Sequence, residues 1–379
     1  MDWRSAPDAK KTVAASCLGG GEHPTKSRTT QSTDRALDVH RFGMQVFSML
    51  RRLVRRGATS VGLVVMVVTL TFVLLNAAPG DPARFWVGPN AGQAELEAAR
   101  RALGLDRPFF VQYAHWIVNF VRGEWGTSLT QQRPVADVIR AALPHTIVLS
   151  AGSLLLTYLL GIIVGTFQAS KRHTTWDRTI TTGSLFIVGM PAYWLAIMLV
   201  LVFVYTAARF GWPLWMRFPA LGVASLDAEF YTGWGRFVDR LRHLALPLTT
   251  LSLLGVATTS RFVRNAVLET QFAPFVTAAK GRGLKTVSVT GQYVVRNALM
   301  PVITLLGMSL PALFSGTVFI EVIFAWPGMG REIVNAVATR DYPVVLATTA
   351  IFSALVVAGN FVADLLYAVA DPRQRSPEG

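Results

Sequence analysis

Residues 277–301 read TAAKGRGLKTVSVTGQYVVRNALMP, a polar and basic stretch set between two hydrophobic runs that are each long enough to cross a bilayer. A loop of this make-up on a membrane protein is a docking surface. Ala278 and Ala279 give a short helix a face that another protein approaches closely, and Gly283 takes the positive φ that stops the helix and turns the chain. Asn297 to Pro301 then opens the next hydrophobic span.

The composition agrees with membrane residence. Hydrophobic types make up 52% of the 379 residues and charged types 15%, against about 25% charged in a soluble domain. The net charge of +14 does not point to nucleic acid, because the basic residues flank apolar runs instead of gathering on one globular surface. Cys17 is the single cysteine, which excludes an intrachain disulfide and a cysteine-based metal site.

Runs of about 20 or more apolar residues extend from Ala58 to Ala78, Thr146 to Phe167, Ile180 to Tyr205, Leu244 to Phe262, Ala298 to Ile323 and Val344 to Tyr367. Six spans are therefore expected. The fourth is short and contains Pro247, which is tolerated if it falls near the start of a helix. Arg51, Arg52, Arg55 and Arg56 crowd the entrance of the first span, so both termini are expected in the cytoplasm. With that orientation every lysine in the chain falls inside.

Between the first two spans, residues 79–143 are too long for a simple connector; ELEAARRALG reads as an amphipathic helix ended by Gly104, and a second helix is expected from Arg107 to Val121. This segment is expected outside, as is 209–243, whose Trp212, Trp215 and Trp234 read as interfacial anchors. His145 and His243, near span entrances, are likewise read as interfacial. Residues 1–43 have the composition of a disordered cytoplasmic tail, and Met44 is a candidate start. The expected divisions are 1–43 (tail), 44–143 (first span and outer segment), 144–371 (permease domain) and 372–379 (cytoplasmic tail).

A series of landmarks stands in order along residues 44–375: PGDP at 79–82, LGLDRP at 103–108, RGEWGTSL at 122–129, RFVRNAVLE at 261–269, FVTAAKGRGL at 275–284, RNALMPV at 296–302, EVIFAWPGMG at 321–330, RDYPVV at 340–345 and DLLYAVADPR at 364–373. Together they resemble the dipeptide/oligopeptide/nickel permease family of ABC importers, in particular its first permease subunit. The resemblance implies an all-α polytopic membrane protein of the type I importer permease fold, with six transmembrane helices. It assigns Thr277, Ala278, Ala279, Gly283 and Leu284 to the loop that couples to an ATPase subunit. Thr277 stands where the general signature has glutamate, and Tyr293 where a histidine is expected.

The implied partners are a second homologous permease chain, two ABC ATPase subunits, an extracytoplasmic binding protein and membrane lipid, in a bacterial inner or plasma membrane. The implied cargo is a di- or oligopeptide, with nickel or glutathione as alternatives; a stand-alone secondary transporter is the competing class. Span centres free of ionisable residues favour the ATP-driven reading over proton or sodium coupling. The chain itself is expected to hydrolyse nothing and to hold no cofactor or metal, ATP and magnesium being used by the partners. KGRGLKT lacks phosphate-loop spacing, no G-x-S-x-G is present, and the histidines form no i, i+4 pair. Glu321, Pro327, Gly328 and Gly330 are candidates for a gate or for packing, with capping the structural reading of Glu321. Gly161 and Gly165 are a small-xxx-small pair expected to permit close helix packing.

Overall fold

The computed structural model describes Arg55 and residues 57–78, 82–88, 91–102, 104–309 and 317–370. The chain divides into two units, residues 1–59 and 60–379; the first is described only at Arg55 and from Gly57 on, where the first helix begins. The expectations for residues 1–43 and 372–379 lie outside the described residues.

The chain is an all-α polytopic membrane protein. Helix α1 (Gly57–Ala77) precedes α2 (Pro82–Val87), α3 (Gln93–Ala102) and α4 (Phe109–Arg122). Then come α5 (Val135–Ser170), α6 (Thr175–Val188), α7 (Ala192–Val200) and, after a π-helical stretch at Leu201–Thr206, α8 (Ala207–Arg209). Two 3-10 turns lead to α9 (Gly233–Thr270) and α10 (Pro274–Gly281). The π-helical Val289–Val295 joins α11 (Thr286–Ser288) to α12 (Arg296–Ala298). Finally come α13 (Met300–Ser309), α14 (Val318–Ile323), α15 (Met329–Ala338) and α16 (Tyr342–Ala370).

Among the described residues five helices are long and apolar enough to cross a membrane: α1, α5, Ala192–Arg209, α9 and Tyr342–Ala363. The remaining expected run, Ala298–Ile323, is described only at its ends, as α12 to α14, and its middle lies outside the described residues. The run Ile180–Tyr205 is not one helix. It breaks after Val188, because Pro191 has no N–H to donate and pushes Met190 out of the helical region. Pro247 is not in a first turn either but in the interior of α9, which starts at Gly233. Helix α5 likewise begins well before Thr146 and carries through residues 143 and 144 with Pro144 inside it.

α5 and α9 form the central pair, and their approach depends on missing side chains. A Cβ on Gly161 would sit 2.7 Å from Thr259 Cγ2, one on Gly165 2.4 Å from the Ser260 carbonyl oxygen, and one on Gly255 2.4 Å from Thr157 Oγ1. The packing expected of Gly161 and Gly165 is thus realised against α9. At one end of α5, Ala169 joins a cluster with Val263, Val267, Val276 and Ala279; at the other, Val135 and Ile139 join Met329, Ala336 and Val344. A helix of 36 residues separates these ends by about 50 Å at 1.5 Å per residue. α10 and α15 therefore lie toward opposite faces of the membrane.

His243 is buried within the chain, and its Nδ1 lies 2.9 Å from the Asp239 carbonyl oxygen. Trp215 and Trp234 are highly exposed, whereas Trp212 packs edge-on against Phe203.

Candidate functional site

The expected docking loop folds as a short helix and a left-handed turn. Pro274 opens α10 at a position where its missing N–H costs nothing. At the far end Arg282 N–H donates to Ala278 O at 3.1 Å and Gly283 N–H to Lys280 O at 2.9 Å, with Gly283 at φ +78°. Thr277, Ala278, Gly283 and Leu284 are exposed, but Ala279 is buried in the chain's own core beside Val276. Successive residues on a helix point about 100° apart, so the alanine pair divides its labour: Ala279 seats α10 and Ala278 faces outward. The same stretch of chain also exposes Phe272, Phe275 and Val287 together with the basic Lys280, Arg282 and Lys285.

An ion pair not foreseen from the sequence stiffens the same end. Arg264 donates from Nε and Nη2 to the two carboxylate oxygens of Asp177, at 2.7 and 2.8 Å, the forked geometry that makes such pairs strong. Asp177 sits in the first turn of α6, ahead of the apolar run, where it also accepts from His173 N–H. The Arg264 hydrogen bonds hold its carboxyl below the ordinary carboxylate range, with the His173 N–H adding to the effect and burial opposing it. The signal available in the sequence was Thr174-x-x-Asp177, a helix-start pattern; Thr174 does cap α6.

The second candidate group converges on one carboxylate. Glu321 is fully buried; its Oε1 accepts from Thr146 Oγ1 at 2.8 Å and its Oε2 from the N–H groups of Gly330 (2.7 Å) and Arg331 (3.1 Å). Thr146 Oγ1 in turn accepts from Met329 N–H at 2.8 Å. The first three N–H groups of α15, which a helix leaves without internal partners, are thus satisfied by two side chains from other helices. Gly328 and Gly330 leave room for this: a Cβ on either would come within 2.4 and 2.9 Å of Glu321 Oε2. The half-buried Pro327 sits in the tight turn between α14 and α15, where Trp326 N–H donates to Glu321 O and Trp326 Nε1 to His145 O. Glu321 therefore acts as a cap that ties α5, α14 and α15 into one corner.

A second buried carboxylate, Asp341, joins two landmarks far apart in sequence. It accepts from Ser128 Oγ at 2.5 Å and from the N–H and Oγ1 of Thr130 at 3.1 and 2.9 Å. Gln131 Nε2 adds a bond to Glu332 on α15. The turn after α4 is in this way latched to the start of α16.

A bundle of membrane-length helices with an exposed short helix and turn at one end and a braced corner at the other is the architecture of a polytopic membrane protein. Comparison with known proteins specifies the kind. The chain belongs to the binding-protein-dependent transport system inner membrane component family, whose model matches residues 158–376, with the N-terminal model of the same systems matching 49–150. It is an ABC importer permease. It is 36% identical over 86% of its length, and 99% of the relative's, to the oligopeptide transport system permease protein AppB of Bacillus subtilis. The same figures relate it to a putative peptide permease protein of Brucella suis. The di/tripeptide transport system permease protein DppB of Pseudomonas aeruginosa is 34% identical over 82% of this chain and 94% of its own. Among solved structures, an amino acid ABC transporter with histidines aligns over 62% of this chain and 94% of its own at 14% identity and a TM-score of 0.45, too distant to build on.

Proposed function

We propose that this chain forms part of the translocation path of an ATP-driven importer for di- or oligopeptides, handed over by an extracytoplasmic binding protein. A second homologous permease completes the path, and two ABC ATPase subunits use ATP and magnesium, so that this chain hydrolyses nothing. The observation that carries the coupling is the α10 turn: Val276 and Ala279 root it in the α5–α9 core, so a force on Ala278 and Leu284 is passed to the helices that span the membrane. Small Ala278 and the apolar Phe275 and Leu284 fit a groove on a partner, and the basic Lys280, Arg282 and Lys285 fit an acidic rim. In this reading the face is cytoplasmic, as both termini are expected to be, in a bacterial inner or plasma membrane. The names of the relatives support peptide cargo.

The test is uptake of labelled dipeptides and pentapeptides in a strain deleted for this chain, complemented by wild type or by Ala278→Arg, with ATPase co-purification measured beside it. Wild type should restore uptake. The arginine at 278 should abolish uptake and reduce ATPase recovery while membrane insertion stays normal, since the position is exposed. Normal coupling in that variant would remove α10 from the interface. Restored uptake of nickel or glutathione, with none of peptides, would reassign the cargo.

A further inference from the structure

Helix α4 divides its surface into three stripes. Phe109, Tyr113, Trp116 and Phe120 recur at four-, three- and four-residue steps and face the protein. The Phe72 ring of α1 lies 5.3 Å from Phe109 and 5.2 Å from Tyr113, Tyr113 and Thr69 share a hydroxyl hydrogen bond, and Phe120 stacks between Trp116 and Trp125. Gln112, His115, Asn119 and Arg122 make a polar stripe, where His115 meets Arg107 at 3.1 Å and Gln112 donates to the Arg107 carbonyl oxygen. The third stripe, Phe110, Ala114, Val118 and Val121, is wholly apolar and open, with Phe110 and Val121 each 80% exposed. A helix in water would not hold such a stripe out to solvent.

The anchoring residues on α1 say what covers it. Thr69 and Phe72 precede Ala77, the end of this 21-residue apolar helix, by eight and five residues, which at 1.5 Å per residue is about 12 and about 7 Å below its end. A 21-residue helix only just spans a hydrocarbon core of about 30 Å, so that depth lies within the acyl-chain region. Around it α1 itself exposes Val65, Leu70, Val73 and Leu74, and the open stripe of α4 continues this lipid-facing surface.

We propose that α4 is an interfacial helix, its Phe110/Ala114/Val118/Val121 stripe seated among the acyl chains of the leaflet at the Ala77 end of α1 and its polar stripe turned to the headgroups and water. The occupant of the apolar face is lipid. A three-way division of this kind, with arginines at both ends of the helix, is what the membrane boundary selects. The segment expected to lie wholly outside is in this way half sunk, and the anchor has a purpose. The turn that follows α4 carries Ser128 and Thr130, the donors that latch onto Asp341. Lipid thus steadies one side of the corner that Glu321 braces from the other. The proposal is independent of the coupling role of α10.

The test uses the full chain with its co-expressed partner subunits in lipid vesicles, Cys17→Ser as background, and single Phe110→Cys, Val121→Cys or Asn119→Cys variants labelled with an environment-sensitive fluorophore. Lipids carrying a nitroxide high on the acyl chain should quench most of the fluorescence at 110 and 121 and little at 119. Aqueous iodide should show the reverse order. Iodide quenching at 110 and 121 would overturn the proposal by putting the stripe in water. Quenching there by neither agent would overturn it by showing a protein partner on the stripe.

Discussion

Two Gly-x-Gly triplets stand near opposite ends of α5, Gly281-Arg282-Gly283 after α10 and Gly328-Met329-Gly330 at the start of α15, and the chain uses them for different physical reasons. At Gly283 the backbone is left-handed, φ +78°, and a Cβ would meet nothing within 4 Å. At Gly328 the backbone is ordinary, φ −96°, but a Cβ would lie 2.4 Å from Glu321 Oε2 and 2.6 Å from Thr146 Oγ1. One glycine answers to torsion at an exposed turn, the other to volume in a packed corner. The contrast matches the work of the two ends: the turn must present a surface to a partner, whereas the corner must hold three helices together.

The largest effect is expected from removing the group that gives the corner its shape. Glu321→Ala strands two backbone N–H groups of α15 and the Thr146 hydroxyl in a buried site. At about 1–3 kcal/mol for each buried orphan, the loss should reach about 3 kcal/mol or more, read as a fall in melting temperature and in yield of the purified importer. Glu321→Gln retains an acceptor oxygen and should recover part of the loss. If the alanine variant melts with wild type, the corner is not braced by this carboxylate and the contrast between the two ends collapses.

A crossed substitution sharpens the comparison. Gly328→Ala should destabilise by about 1–3 kcal/mol through overpacking, and Gly328→Asn by at least as much. Gly283→Val should cost about 1–3 kcal/mol of backbone strain, seen as weaker ATPase co-purification with normal insertion. Gly283→Asn should be nearly silent, because asparagine enters the left-handed region readily. Asparagine tolerated at 283 and rejected at 328 is the expected pattern; the same response at both sites would mean that torsion and volume do not separate them.

What the sequence revealed follows from the range of the forces involved. Gly283 was legible because a helix stop is a local matter of φ, and the packing of Gly161 and Gly165 because their spacing puts both on one helix face. The cap on α15 was only half legible: Glu321 stood in a landmark, but Thr146 is 175 residues away on α5, and no periodicity names a partner at that distance. Asp341 with Ser128 and Thr130 is the same case. The break at Gly189 to Pro191 was missed for another reason. A hydropathy run is equally apolar whether it folds as one helix or two, and only the missing N–H of Pro191 distinguishes them.

The smallest effect concerns the end that couples, where Arg264 grips Asp177. The Asp177 carboxyl is held below its ordinary value, chiefly by the Arg264 hydrogen bonds. A carboxyl depressed on folding contributes stability that is fully present above its unfolded pKa, about 3.9, and is lost as the pH falls through the folded value. The advantage of wild type over Asp177→Asn should therefore be constant from neutral pH down to about 5 and then shrink as the medium is acidified below about 4. Because the Arg264 side chain keeps 22% of its surface open to solvent, added salt should narrow this gap. Denaturation curves of the two proteins at matched pH and salt would show it. A gap unchanged by acid would mean that Asp177 acts through its cap at the start of α6, not through its charge, and the rigidity of this end would then rest on α10 packing alone.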